Sequence, residues 1–142
     1  MLALLDVNAL IALFDVDHAH HMRAKLWLDA NIRFGWATCP ITQNGMIRIM
    51  SQRSYPRAST THDMALRLRE ATAEPTHTFI CDTISFTDAS RVHTDGLLTA
   101  ATTTDIYLLA LAVAHNARFV TFDHGVSPRA VVGATTDHLV KL

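Results

Sequence analysis

Two short apolar runs, each stopping at an aspartate, constrain this chain more than any other feature. Near the start, LALL runs into Asp6; near the end, RFVTF runs into Asp123. Continuous apolar runs of this length read as strands buried on both faces, the pattern of a parallel sheet. Between them lie stretches with helical spacing. These predict helices over residues 8–14, over 18–30 with Asp17 as N-cap, and from Pro40 through 41–51. Two more are expected over 61–73 and over 105–116, the last capped by Thr104 and ending near Asn116. Further strands are expected over 34–39, over 79–81 and near 138–140. Strands alternating with helices of ten or more residues imply an α/β/α sandwich built on a mainly parallel sheet of four to five strands. With no repeat, low-complexity tract or linker, residues 1–142 read as one domain.

Open parallel sheets bind their ligands at the carboxyl ends of the strands. Asp6 and Asp123 stand at such ends, and Asp105 opens a helix. Of the 13 acidic residues only Glu70 and Glu74 are glutamates, so the acids are of the type that favours turns, caps and metal sites over helix interiors. If the three elements are neighbours, three carboxylates converge on one crevice. Carboxylates so placed repel one another and their pKa values rise unless a cation joins them. A hard divalent ion, Mg²⁺ or Mn²⁺, takes oxygen ligands and can assist in-line displacement at a phosphoryl group. The residues alone leave a second reading open, in which each aspartate is only a turn or helix-terminal residue.

Composition removes several classes. Nothing approaches the roughly 18 apolar residues of a membrane span. The apolar N-terminus has no Lys or Arg before it and is broken by Asp6 and Asn8, which argues against a signal peptide, so no membrane role and a cytoplasmic location are expected. Cys39 and Cys81 lack the spacing of a zinc site and read as two buried thiols. The net charge of −1 does not advertise nucleic-acid binding.

Four segments carry a family resemblance. LLDVNALIALF resembles the opening motif of PIN domains, in which an aspartate ends the first strand and an asparagine follows two residues later. TTDIYLLALAVAHNARFVTFD resembles their C-terminal half, where T-D-x-x-L-x-x-L-A leads through a helix to T-x-D. HAHHMRAKLWLD and WATCPITQNGMIRIMS are similar to VapC-type toxins of toxin–antitoxin pairs, especially a subfamily abundant in mycobacteria. The likeness runs over nearly the whole chain in the right order. It implies a PIN-domain, metal-dependent endoribonuclease directed at structured RNA such as tRNA or rRNA, dimeric, and inhibited by a VapB antitoxin. The family's acids fall on Asp6, Asp105 and Asp123 as Mg²⁺ or Mn²⁺ ligands. Asn8, Thr104 and Thr121 match flanking polar groups.

One position departs from the pattern. The family's T-E-x-x-x-x-R reads here as Thr42-Gln43 through Arg48, so the expected glutamate is Gln43. That side chain can still ligate through its carbonyl or hold a water on the metal, but it removes one charge and should weaken Mg²⁺ binding. The alternative is a catalytically weakened PIN domain that only binds RNA or antitoxin. A phosphatase opening on D-x-D is disfavoured, because Asn8 stands where that chemistry needs a second carboxylate.

Arg48 could meet a phosphate or form a surface pair, and some of Arg53, Arg57, Arg67 and Arg69 could touch an RNA backbone. His18, His20 and His21 read as a solvated helix start rather than a ligand set, and Asp88 as structural. Ala24, Leu26, Trp27 and Leu28 are expected to supply apolar helix surface, and Trp27, Trp36 and Phe119 to lie in the core.

Overall fold

The computed structural model describes residues 1–94 and 98–142. Five strands form one parallel sheet: β1 (Ala3–Leu5), β2 (Trp36–Thr38), β3 (His77–Phe79), β4 (Arg118–Thr121) and β5 (Leu139–Lys141), in the order β3-β2-β1-β4-β5. The helices are α1 (Val7–Phe14), α2 (His21–Asn31), α3 (Pro40–Met50), α4 (Thr61–Thr72) and α5 (Thr103–Ala114).

The chain starts in the middle strand, builds outward through β2 to β3, then crosses back to β4 and β5. Right-handed crossovers in opposite directions put their helices on opposite faces. Ala3, Leu5, Trp36 and Val120 accordingly pack with side chains of α1–α4, while Leu4, Ala37 and Phe119 pack with α5 and the segments around Ile80, Val92 and Val126. Successive strand residues serve alternate cores, which is why these strands show unbroken apolar runs. Reversal of strand order beside β1 opens a crevice beyond the carboxyl ends of β1 and β4. Asp6 and Asp123 stand there.

The helix and strand pattern follows the expectation, with instructive shifts. α2 begins at His21 and Asp17 does not cap it. Asp17 instead closes a turn through its N–H to the Asp15 carboxylate at 3.1 Å and pairs with Arg57. β3 covers His77–Phe79 rather than 79–81, because its position is fixed by pairing Trp36 with His77 and Thr38 with Phe79. On this edge strand the only strongly apolar side chain, Phe79, is 48% exposed, so hydrophobic pattern does not mark it. The N-cap of α5 is Thr102, two residues before Thr104; in a run of three threonines the cap cannot be chosen by residue type. The end of α5 is as read: Asn116 takes φ 52°, and the Ala117 N–H returns to the Ala112 carbonyl at 2.8 Å.

Trp36 and Phe119 are buried, but Trp27 is only half-buried and stacks under the Arg118 guanidinium at 4.9 Å. Leu26 is 61% exposed and Cys81 lies at the surface, so only Cys39 is a core thiol. Arg57 and Arg67, two of the arginines of which some could touch an RNA backbone, fold back on the end of α1 and the turn after it: Arg57 pairs with Asp17, and Arg67 donates to the Phe14 carbonyl at 2.6 Å. Asp88 accepts from Ser90 Oγ at 2.7 Å within its own loop.

α1 and α3 approach tightly at Gly45. A Cβ there would lie 2.7 Å from Val7 Cγ2, and a valine in a helix cannot easily rotate away. Gly45→Ala should therefore destabilise the fold by about 1–3 kcal/mol through overpacking, more than the roughly 1 kcal/mol that alanine gains in helix propensity. Thermal unfolding of Gly45→Ala beside Val7→Ala/Gly45→Ala checks this: removing the valine methyls should turn the glycine substitution from destabilising to stabilising.

Candidate active site

Asp6 follows directly on β1 and caps α1, its carboxylate accepting the Val7 N–H at 2.6 Å. Its other oxygen accepts from the Thr121 hydroxyl at 2.9 Å, and the same Thr121 oxygen accepts the Asp123 N–H at 3.0 Å. A fully buried threonine at the end of β4 thus fixes both strand-end aspartates. Asp123 is held in turn by the Gly125 N–H at 2.6 Å. Asp105 comes from the first turn of α5. Three separate segments deliver these acids to one cleft of about 620 Å³, lined by Asp6, Asn8, Asn44, Gly45, Arg48, Thr104, Asp105 and Asp123 among others.

Charge in the cleft is unbalanced. Asp6 is pushed up from its ordinary value chiefly by burial, against which the Thr121 and backbone hydrogen bonds act. Asp105 is pushed up to about 7 by burial, then by the charges of Asp6 and Asp123 and by a hydrogen bond shared with Asp123. A hydrogen bond between two carboxylates needs a proton on one of them, and Asp105 is the acid whose raised value lets it carry that proton close to neutral pH. Arg48 is the single basic side chain among the described residues that line the cleft.

A hard divalent cation fits this donor set. The cleft offers carboxylate and carboxamide oxygens and contains neither thiol nor imidazole among its described lining residues. As they stand, no three His, Cys, Asp or Glu side chains among the described residues form a ready cage. The carboxylates rest instead on Thr121, on the α1 N-terminus and on each other.

Of the residues singled out in the sequence, Asp6, Asp105, Asp123, Asn8, Thr104 and Arg48 line the cleft, and Thr121 lies beneath it. Gln43 is not among the lining residues; its side-chain amide donates to Thr38 Oγ1 at 2.8 Å. Asn44, not singled out, is on the cleft. Helical periodicity could have found it: Ile41, Asn44, Gly45, Arg48 and Ile49 recur at i, i+3, i+4, i+7 and i+8. The histidines make no ligand set: His21 Nδ1 bonds the Ala12 carbonyl at 2.7 Å, and His20 stacks on Phe122 at 4.7 Å.

A parallel α/β sheet with acids gathered at its switch point has counterparts among known proteins. The PIN domain model matches residues 3–130. Ribonuclease VapC44 of Mycobacterium tuberculosis is 48% identical over the full length of both chains. Ribonuclease VapC39 of the same organism is 40% identical over 94% of this chain and 96% of its own. The fold is also that of VapBC2 from Rickettsia felis, solved bound to a DNA fragment from its promoter, with TM-score 0.53 at 17% identity over 87% of this chain and 89% of that one. The chain belongs to the PIN-domain family, in its VapC ribonuclease branch. Among the described residues no helix is long and apolar enough to cross a membrane.

The raised Asp105 has a direct consequence for stability. An acid whose folded pKa lies above its unfolded value stabilises the fold when protonated, and that contribution is lost as pH rises through the interval from about 3.8 to about 7. With metal chelated, the thermal midpoint should fall between pH 5 and pH 8. Asp105→Asn, neutral throughout, should flatten this dependence and exceed the wild type in metal-free thermal stability at pH 8.

Proposed function

We propose that this chain is the toxin of a toxin–antitoxin pair, a divalent-metal-dependent endoribonuclease that hydrolyses phosphodiester bonds in structured RNA such as tRNA or rRNA. The observation that carries this reading is the delivery of Asp6, Asp105 and Asp123, from three distant segments, to one cleft at the sheet's switch point. The ribonuclease names of relatives matching the whole chain support it.

Asp6, Asp105 and Asp123 hold the ion, Mg²⁺ or Mn²⁺. Bound there, it supplies positive charge to the phosphoryl oxygens and lowers the pKa of the attacking water. Thr121 keeps the Asp6 carboxylate aimed into the cleft through its hydroxyl and ties the Asp123 backbone to the same point. Asp105 would serve the ion in its deprotonated form, so metal binding would strengthen as pH rises through about 7. Arg48, exposed on α3 at the cleft wall, meets a phosphate of the RNA strand. Asn8 and Thr104 present neutral polar groups on either side of the acids, from the first turns of α1 and α5. The protein works in the cytoplasm as a homodimer, held inactive by a VapB-type antitoxin.

Purified chain incubated with total tRNA and rRNA should cleave only with Mg²⁺ or Mn²⁺ present, and EDTA should stop it. Asp6→Ala and Asp123→Ala should each lose at least about 100-fold in rate, since even outer-sphere partners of a metal site are worth 10–100-fold. A metal-independent cleavage that survives both changes refutes the proposal. Binding of RNA to a cleavage-dead Asp6→Ala background should weaken further with Arg48→Ala, and the log–log salt slope should drop by about one. An unchanged slope would remove Arg48 from the phosphate contacts.

A further inference from the structure

We propose that Asn44, and not Gln43, is the α3 side chain that faces the divalent cation, while Gln43 latches α3 to the neighbouring strands. The inference rests on reading the cleft as a metal-dependent nuclease site. It starts from where α3 points.

Asn44 and Arg48 stand one turn apart on the helix face that lines the cleft, which the carboxylates of Asp6, Asp105 and Asp123 also line. The rotation of α3 is fixed beside them by Gly45, where helix α1 comes so near that no side chain fits against Val7. α1 is the helix that Asp6 caps, so the tight Gly45–Val7 contact sets Asn44 and Asp6 in one frame. Asn44 is exposed, leaving its carboxamide oxygen available to an ion or to the water that Mg²⁺ characteristically retains.

Gln43 is oriented by a different set of partners. Its amide nitrogen donates to Thr38 Oγ1 at 2.8 Å, and Thr38 Oγ1 lies 2.8 Å from His77 Nε2. Burial keeps His77 toward its neutral form, with the Thr72 backbone acting the other way. A neutral imidazole carrying its proton on Nδ1 offers Nε2 as an acceptor. Thr38 then donates to His77 and accepts from Gln43, so every hydrogen in the chain has one direction. An amide supplies the donor this chain needs at position 43, whereas a carboxylate would compete with His77 for the single Thr38 hydrogen. Glutamine at this position therefore belongs to a complete hydrogen-bond chain joining α3, β2 and β3. The neutral carboxamide that meets the acids is its neighbour.

Titration of the full-length, RNA-free protein with Mn²⁺, followed by calorimetry and by the free-Mn²⁺ paramagnetic signal, tests this directly. Asn44→Ala should weaken Mn²⁺ binding about tenfold or more, and Asn44→Asp should bind more tightly than wild type. Gln43→Ala should stay within about twofold of wild type in Mn²⁺ affinity and show a lowered thermal midpoint. Circular dichroism and the Asn44→Asp variant separate a ligand effect from misfolding, since a fold defect cannot tighten metal binding. Loss of affinity in Gln43→Ala with none in Asn44→Ala overturns the assignment. If wild type binds Mn²⁺, Asp6→Ala abolishes it and Asn44→Ala is silent, the inference falls and the nuclease reading stands. If wild type binds no Mn²⁺ and cleaves no RNA, both fall together.

Discussion

The buried hydroxyl of Thr121 is the joint on which the site depends. It donates to Asp6 at the end of β1 and accepts the N–H of Asp123 just past β4, so one side chain spans the two central strands at their carboxyl ends. Without a donor at that point Asp6, almost wholly enclosed, would carry its charge with only the α1 N-terminus for support. Burial of an unassisted carboxylate is among the costliest arrangements a fold can contain. The acids therefore need a rigid, polar seat before any ligand arrives, and the sheet provides it through a residue that is itself part of the core.

Several elements were legible in the sequence because one physical signal dominated each. Within LALL before Asp6 and RFVTF before Asp123, Ala3–Leu5 and residues 119–121 are strand positions buried on both sides, and no surface requirement interrupts them. α5 was readable for the same reason, since Ile106, Leu108, Leu109 and Leu111 are all enclosed. The signal failed where the chain is exposed or locally ambiguous. β3 is an edge strand with half its pattern facing solvent, and its position comes from β2 rather than from its own residues. Residues 15–20 form a turn in which Asp15 accepts the N–H groups of Asp17 and His18 and the His20 N–H donates to His18 Nδ1, competing with the helix start expected at Asp17.

The cleft divides in the same way. Strand-end and helix-start aspartates could be picked out because the topology of a parallel sheet leaves few other places for them to meet. Position 43 shows the limit of reading by motif. A family pattern points to a residue number, but which way a helical side chain faces depends on how the helix is rotated, and that is set here by a glycine touching Val7. A shift of one residue along α3 turns a side chain by about 100°, enough to exchange a place on the cleft for one against β2.

The two central strands come from opposite ends of the chain. Leu5 pairs with Val120, and the Thr121–Asp6 bond joins residues 115 positions apart. Contacts this distant close late, after the loop entropy of nearly the whole polypeptide has been overcome. A ribosome that has released only the first hundred residues has made neither β4 nor Asp123. A growing chain of that length holds Asp6 without Thr121 or Asp123, so the cleft at the sheet's switch point forms only once the last third of the polypeptide has been made.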